Sequence, residues 1–317
     1  MTRGNANAVR VAAAVAKAAD DEASHARATR IGIVAMVGAM ACFIVNDSLV
    51  KYASQTMPAM QLIFVRGVMA SLLVLAVAQA MGATRKIREV ARGWVAVRAV
   101  VDAVATMLFL VSLFHLPLAN ATAINMASPL IISVLAALFL REQLGPSRWI
   151  AIGIGFAGVL CIIQPQAEGF DGYALLCVLS TVLLSVRDLV TRRVHAAVPS
   201  ILITLSNTIA VTLFAGVLSV FEGWRALTVF EVGYLAVVAV FLSTAYYLIV
   251  VSTRHGDLSL IAPFRYTALL FATISGFVIW GDKPNALAWG GIALVIASGI
   301  YVLRVSRRAR ASAITPD

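Results

Sequence analysis

Ten stretches of 17 or more predominantly apolar residues, joined by short connections, restrict this chain to one class of fold. Their bounds read as 31–50, 59–81, 94–114, 118–140, 148–164, 172–193, 199–221, 230–252, 257–280 and 286–304. Crossing about 30 Å of hydrocarbon takes about 20 residues of helix at a rise of about 1.5 Å each. Each stretch is therefore predicted to span a bilayer. Of the 317 residues, 61% are apolar and only 13% are charged, against about 45–50% and about 25% in a soluble domain. A soluble globule of this length would need more charge to cover its surface. A soluble enzyme, a disordered chain and a nucleic-acid-binding domain are excluded on this ground. The expected fold is an all-α membrane protein of ten transmembrane helices. The longest connection, Gly82 to Gly93, is too short for an extramembrane domain, so function is expected inside the bundle.

The net charge of +10 does not imply a nucleic-acid partner, because the basic residues fall between the apolar runs. With a cytoplasmic N-terminus, 18 of the 25 Lys and Arg lie on the inside and three, Lys51, Arg225 and Lys283, on the outside. That bias follows the positive-inside rule and predicts both termini in the cytoplasm. Trp94, Trp149, Trp224, Trp280 and Trp289 sit at or near span ends, as an interfacial aromatic belt requires. Residues 1–30 are Ala-rich with scattered charges; they read as a weak helix or an unstructured tail, and not as a cleavable signal.

An internal repeat organises the spans. Asp47, Lys51 and Pro58 recur as Asp188, Arg192 and Pro199 at an offset of 141, and Leu118, Glu142 and Trp149 recur as Leu258, Asp282 and Trp289 at 140. The unit is about 140 residues and five spans. Because five is odd, the second copy enters the membrane inverted. Inverted repeats of this kind give carriers that open alternately to each side, with the substrate site near the midplane between the repeats. The expected units are 31–164 and 172–304, with tails 1–30 and 305–317.

The residues also carry a family resemblance. It runs through Asn46-Asp47, Lys51, Pro58, Phe64, Arg66 and Arg98, then Ser128-Pro129, Arg141-Glu142, Trp149 and Gly153 to Gly158. In the second repeat it continues with Asp188, Arg192 and Ala262-Pro263-Phe264-Arg265-Tyr266. Over about 31–304 the chain resembles the drug/metabolite transporter superfamily, specifically its EamA-type ten-span members. The Asn46-Asp47, Phe64–Arg66 and 262–266 pieces are similar to bacterial S-adenosylmethionine uptake carriers. The resemblance implies a secondary transporter of the bacterial inner membrane. Its relatives include both importers and exporters.

Four basic residues lie inside spans: Arg66, Arg98, Arg187 and Arg265. An ionisable group there costs about 2.5–3.5 kcal/mol on insertion scales, so it faces a cavity or a partner. Arg98 lies about 6 Å into the third span, within snorkelling reach of the interface. Asp102, one turn later, can pair with it, so a structural ion pair and a gating or substrate role both stay open. Arg66 and Arg265 lie about 10 Å and about 12 Å from their span ends, and neither has an acidic residue one turn away. Both are expected to face a cavity. Tyr266 and Pro263 beside Arg265 suggest a locally bent helix.

Asp47 and Asp188 are read as helix-end partners of Lys51 and Arg192, with Arg187 adjoining the latter pair. Asp47, next to Asn46, and Asp102 are the alternatives for a proton-carrying carboxylate. Asn125, Asn207, Tyr246 and Tyr247 are polar positions within spans that either knit helices or bind substrate. Gly153, Gly155 and Gly158 are expected to let helices pack closely.

The candidate substrate or gating residues are therefore Asn46, Asp47, Arg66, Arg98, Asp102, Asn125, Tyr246, Arg265 and Tyr266. No cofactor or metal is expected, since the four histidines lack ligand spacing. The expected partners are a small-molecule substrate, the lipid bilayer and, as an option, a second copy of the chain. A channel and a polytopic membrane enzyme are the rival classes.

Overall fold

The computed structural model describes residues 3–140, 145–164, 172–191, 193–195, 197–254 and 258–314, with side chains described from residue 27 to residue 305 except at 140, 253, 254, 258 and 259. Arg141, Glu142, Arg192 and His255, which enter the repeat, charge and histidine readings, lie outside the described residues, as do the side chains of 1–26.

Among the described residues every regular element is a helix. In chain order they are α1 (Arg3–Ala53), α2 (Ala59–Ala80), a 3-10 turn (Ala83–Ala91), α3 (Gly93–His115), α4 (Leu118–Asn125), α5 (Ser128–Leu140) and α6 (Pro146–Ile163). The second half holds α7 (Tyr173–Thr191), α8 (Ser200–Glu222), α9 (Val229–Arg254), α10 (Leu258–Ile261), a 3-10 turn (Ala262–Tyr266), α11 (Thr267–Trp280) and α12 (Ala286–Ile314). Ten segments of these helices are long and apolar enough to cross a membrane.

The span bounds follow the apolar runs, with two differences. The fourth span is broken into α4 and α5 at Met126-Ala127, and the ninth into α10, the 3-10 turn and α11. Pro263 explains the second break, since a proline removes a backbone donor and crowds the preceding turn. The N-terminal tail continues α1 as helix from Arg3.

Chain punctuation sets the ends. Proline precedes or opens α2, α4, α6 and α8 (Pro58, Pro117, Pro146, Pro199), where its missing N–H costs nothing. Gly82 (φ 66°) and Gly281 (φ 72°) end α2 and α11 in the left-handed conformation that glycine adopts without strain. Glu222, at the end of α8, accepts from the backbone N–H groups of Ala59 (3.0 Å) and Met60 (2.6 Å), satisfying the open start of α2.

The helices pair across the two halves of the chain. α1 packs on α9 and α3 on α7; α2 packs on α9 and α3 on α8; α1 packs on α11, and α4 and α5 on α7. α2 also packs on α8, α4 on α11 and α6 on α12. Exchanging the first five spans for the last five turns each of these pairings into another of them or into itself.

In the α6–α12 seam backbone packs directly on backbone. A Cβ at Gly158 would stand 2.8 Å from the carbonyl oxygen of Gly291, and one at Gly291 would stand 2.5 Å from that of Gly158. Gly155 is equally enclosed, by Leu130 and Ser298, whereas Gly153 meets nothing within 4 Å. Close packing therefore holds for two of the three glycines expected to provide it.

Candidate functional site

Spans one to four and six to nine surround a cavity of about 360 Å³ in the middle of the bundle. Among the described residues α6 and α12 contribute nothing to its lining. Eight of the nine candidate residues line it: Asn46, Asp47, Arg66, Arg98, Asp102, Asn125, Tyr246 and Arg265. Tyr266 does not. Its ring turns away into the bundle, packs against Gly299 of α12, and leaves its hydroxyl buried without a hydrogen bond. A 3-10 turn advances the chain by about 120° per residue, so adjacent Arg265 and Tyr266 cannot share a face.

The cavity charges form two networks. In the first, Arg66 Nη1 donates to Asn46 Oδ1 at 3.1 Å, and Asn46 Nδ2 donates to Asp47 Oδ1 at 2.9 Å. In the second, Arg187 Nη1 meets Asp102 Oδ1 at 2.5 Å, while its Nη2 and Nε meet Asp188 Oδ1 at 2.7 and 3.0 Å. Arg98 completes the second network, with Nε on Thr191 Oγ1 at 2.6 Å and Nη1 on Asn207 Oδ1 at 2.7 Å.

Two expected pairings are thus replaced. Arg98 does not pair with Asp102, because Arg187 from the neighbouring helix takes that carboxylate and hydroxyl and amide acceptors from α7 and α8 take Arg98. Asp47 bonds to Asn46 rather than Lys51. The Lys51 ammonium instead donates to the Leu116 carbonyl and lies 5.2 Å over the Trp280 ring, so this nominally outside lysine is buried. Asp188 pairs with Arg187, and its expected partner Arg192 lies outside the described residues.

Polar and aromatic groups complete the lining. Phe43 and Tyr246 meet edge to face at 5.4 Å. Thr106, Thr122, Thr204, Thr208 and Asn207 add hydroxyl and amide groups. Arg187 and Asn207 are the site residues that sequence reasoning undervalued, one read as a neighbour of Asp188 and the other mainly as a helix tie.

The repeat offset would have found both. Lining positions recur between the halves at 141 in the first two spans: Phe43 with Leu184, Asn46 with Arg187, Arg66 with Asn207, Gly67 with Thr208 and Ala70 with Val211. They recur at 140 in the next two: Asp102 with Leu242, Thr106 with Tyr246, Phe109 with Ile249 and Asn125 with Arg265.

Comparison with known proteins agrees with this architecture. The EamA-like transporter family matches twice, over residues 30–164 and 172–304. A riboflavin transporter of Rhizobium johnstonii is 28% identical over 211 residues, covering 67% of this chain and 70% of that protein. An S-adenosylmethionine uptake transporter of Rickettsia bellii is 24% identical, covering 62% and 68%. The pseudopaline exporter CntI of Pseudomonas aeruginosa is 25% identical, covering 87% and 97%. A solved crystal structure shares the fold with a TM-score of 0.61 at 20% identity, over 90% of this chain and 99% of its own. The chain belongs to the EamA-like transporter family of the drug/metabolite transporter superfamily and is a multi-pass membrane transporter of metabolites, not an enzyme.

Proposed function

We propose that the protein is an inner-membrane secondary carrier in which two inverted five-span halves present the central cavity to each side in turn. The observation that carries this reading is the lining itself: the two halves contribute polar residues at matching positions, offset by 140 or 141. The exchangeable helix pairings and the double family match support it. A site near the midplane, flanked by broken spans at corresponding places in the two halves, is the arrangement expected of alternating access. The excess of Lys and Arg in the N-terminal tail and in the second, fourth and later even-numbered connections supports cytoplasmic termini.

The cargo is a small polar or amphipathic metabolite bearing a carboxylate or phosphate, because cations outnumber anions in the lining. The relatives' names make S-adenosylmethionine and riboflavin the reference solutes against which an anionic cargo is compared. They divide between uptake and export, and the cavity reading holds for either direction.

The test is transport in proteoliposomes. Saturable flux with counterflow is expected, whereas unsaturable flux marks a channel. Arg66→Ala and Arg265→Ala are each expected to lower transport at subsaturating substrate by about ten- to a hundredfold, the worth of a charge-assisted hydrogen bond. Normal affinity and rate in both variants would refute the site. An imposed pH gradient that changes uptake would support Asp47 or Asp102 as a proton carrier; no response removes that role.

A further inference from the structure

The two halves are not electrostatically equal, and the inequality has one source. At the position pair Asn46/Arg187 the arginine sits in the second half; at Arg66/Asn207 it sits in the first. These two exchanges cancel, since each half then holds one arginine, one asparagine and one aspartate. The third span adds Arg98 and Asp102 together, which is neutral. Only the pair Asn125/Arg265 is unbalanced. Arg265 therefore supplies the one positive charge left over among four arginines and three aspartates of the site.

Bonding singles out the same residue. Arg187 is held by two carboxylates and Arg98 by a hydroxyl and an amide. Arg66 is buried and shares Asn46 with Asp47. Arg265 lines the cavity, is exposed, and makes no hydrogen bond or ion pair among the described residues. An arginine stays charged at any working pH, so its guanidinium is free to take an anionic group of the ligand. Two further groups of lining residues, the Nε of Arg66 and the hydroxyl of Thr122, are buried without hydrogen-bond partners.

We propose that Arg265 selects the cargo by charge: the substrate carries a single net negative charge, placed on Arg265, and neutral, cationic and dianionic solutes are discriminated against. This rests on the carrier reading of the cavity and names its substrate class. It sets this chain apart from carriers of S-adenosylmethionine, a net monocation, and of riboflavin, which is neutral.

The experiment is a thermal-shift and counterflow panel on the purified full chain, using pantothenate and biotin as monoanions, riboflavin as neutral, S-adenosylmethionine as cation and flavin mononucleotide as dianion. The monoanions are expected to bind best. Arg265→Gln is expected to weaken them about ten- to a hundredfold and Arg265→Lys much less. The double variant Asn125→Arg/Arg265→Asn moves the charge to the other half and is expected to keep the monoanion preference.

A solute-independent readout accompanies the panel: phenylglyoxal labelling followed by mass spectrometry, with Arg265 modified faster than Arg66, Arg98 and Arg187. Saturable transport of riboflavin or S-adenosylmethionine that ignores Arg265→Gln would overturn the charge rule while leaving the carrier intact. Unsaturable flux would instead defeat the carrier reading beneath it. If no solute in the panel binds, preferential labelling of another cavity arginine overturns the assignment of the free cation, and preferential labelling of Arg265 upholds it.

Discussion

The contact between spans three and six and the contact between spans one and eight occupy corresponding places in the two halves, yet different forces hold them. Between α3 and α7, Asp102 meets Arg187 at 2.5 Å and Arg98 meets Thr191 at 2.6 Å. Between α1 and α9, Asn46 and Leu242 stand in the places of Arg187 and Asp102. That contact is carried by Phe43 against Tyr246, and by the Tyr234 hydroxyl donating to the Leu49 carbonyl at 2.9 Å. An ion pair in a buried site is directional and costly to break one partner at a time. An aromatic contact tolerates sliding. Under alternating access the two contacts therefore open with unequal ease, and the carrier has a preferred resting side.

Substitutions at the paired positions test that contrast. Arg187→Asn places in the second half the residue that the first half has at Asn46, and strands Asp102, which is 3% exposed. It is expected to cost about 3–5 kcal/mol, the toll of an unpaired buried charge, read as a fall in melting temperature. Adding Asp102→Leu reproduces the Leu242/Asn46 combination and is expected to recover most of that loss, because an apolar replacement of a buried pair is often neutral. A double variant no more stable than the single one would mean that charge is not what distinguishes the two contacts.

A smaller loss, about 1–3 kcal/mol, is expected for Asn46→Ala, which removes the acceptor of Arg66 and the donor to Asp47 together. Asn207→Ala is expected to cost only about 1 kcal/mol, since Arg98 keeps Thr191. Equal losses at 46 and 207 would argue that the two networks are equally well braced.

The bilayer makes much of this fold legible in sequence: with no water to satisfy backbone groups, an apolar run of sufficient length must be helical. The ten spans and most of the charged lining follow from that and from the depth of each charge. The breaks in the fourth and ninth spans are less visible. Pro263 marks one and Pro129, in the first turn after Met126-Ala127, marks the other, but the apolar runs continue across both. Side-chain partners were the least legible. The spacing of Arg98 and Asp102 describes an isolated helix, where the i, i+4 neighbour is the only competitor. In the bundle α7 brings Arg187 to Asp102, and α7 and α8 bring Thr191 and Asn207 to Arg98. Lys51 likewise looked like a loop charge, because nothing in its own stretch foretells the Leu116 carbonyl and the Trp280 ring that receive it.

At Gly158 and Gly291 backbone meets backbone, with room for hydrogen alone. That leaves α6 and α12 welded into a single stave that takes no part in the lining. Under the alternating access proposed above, that weld is the line about which the halves would turn, and the eight spans inboard of it would do the travelling.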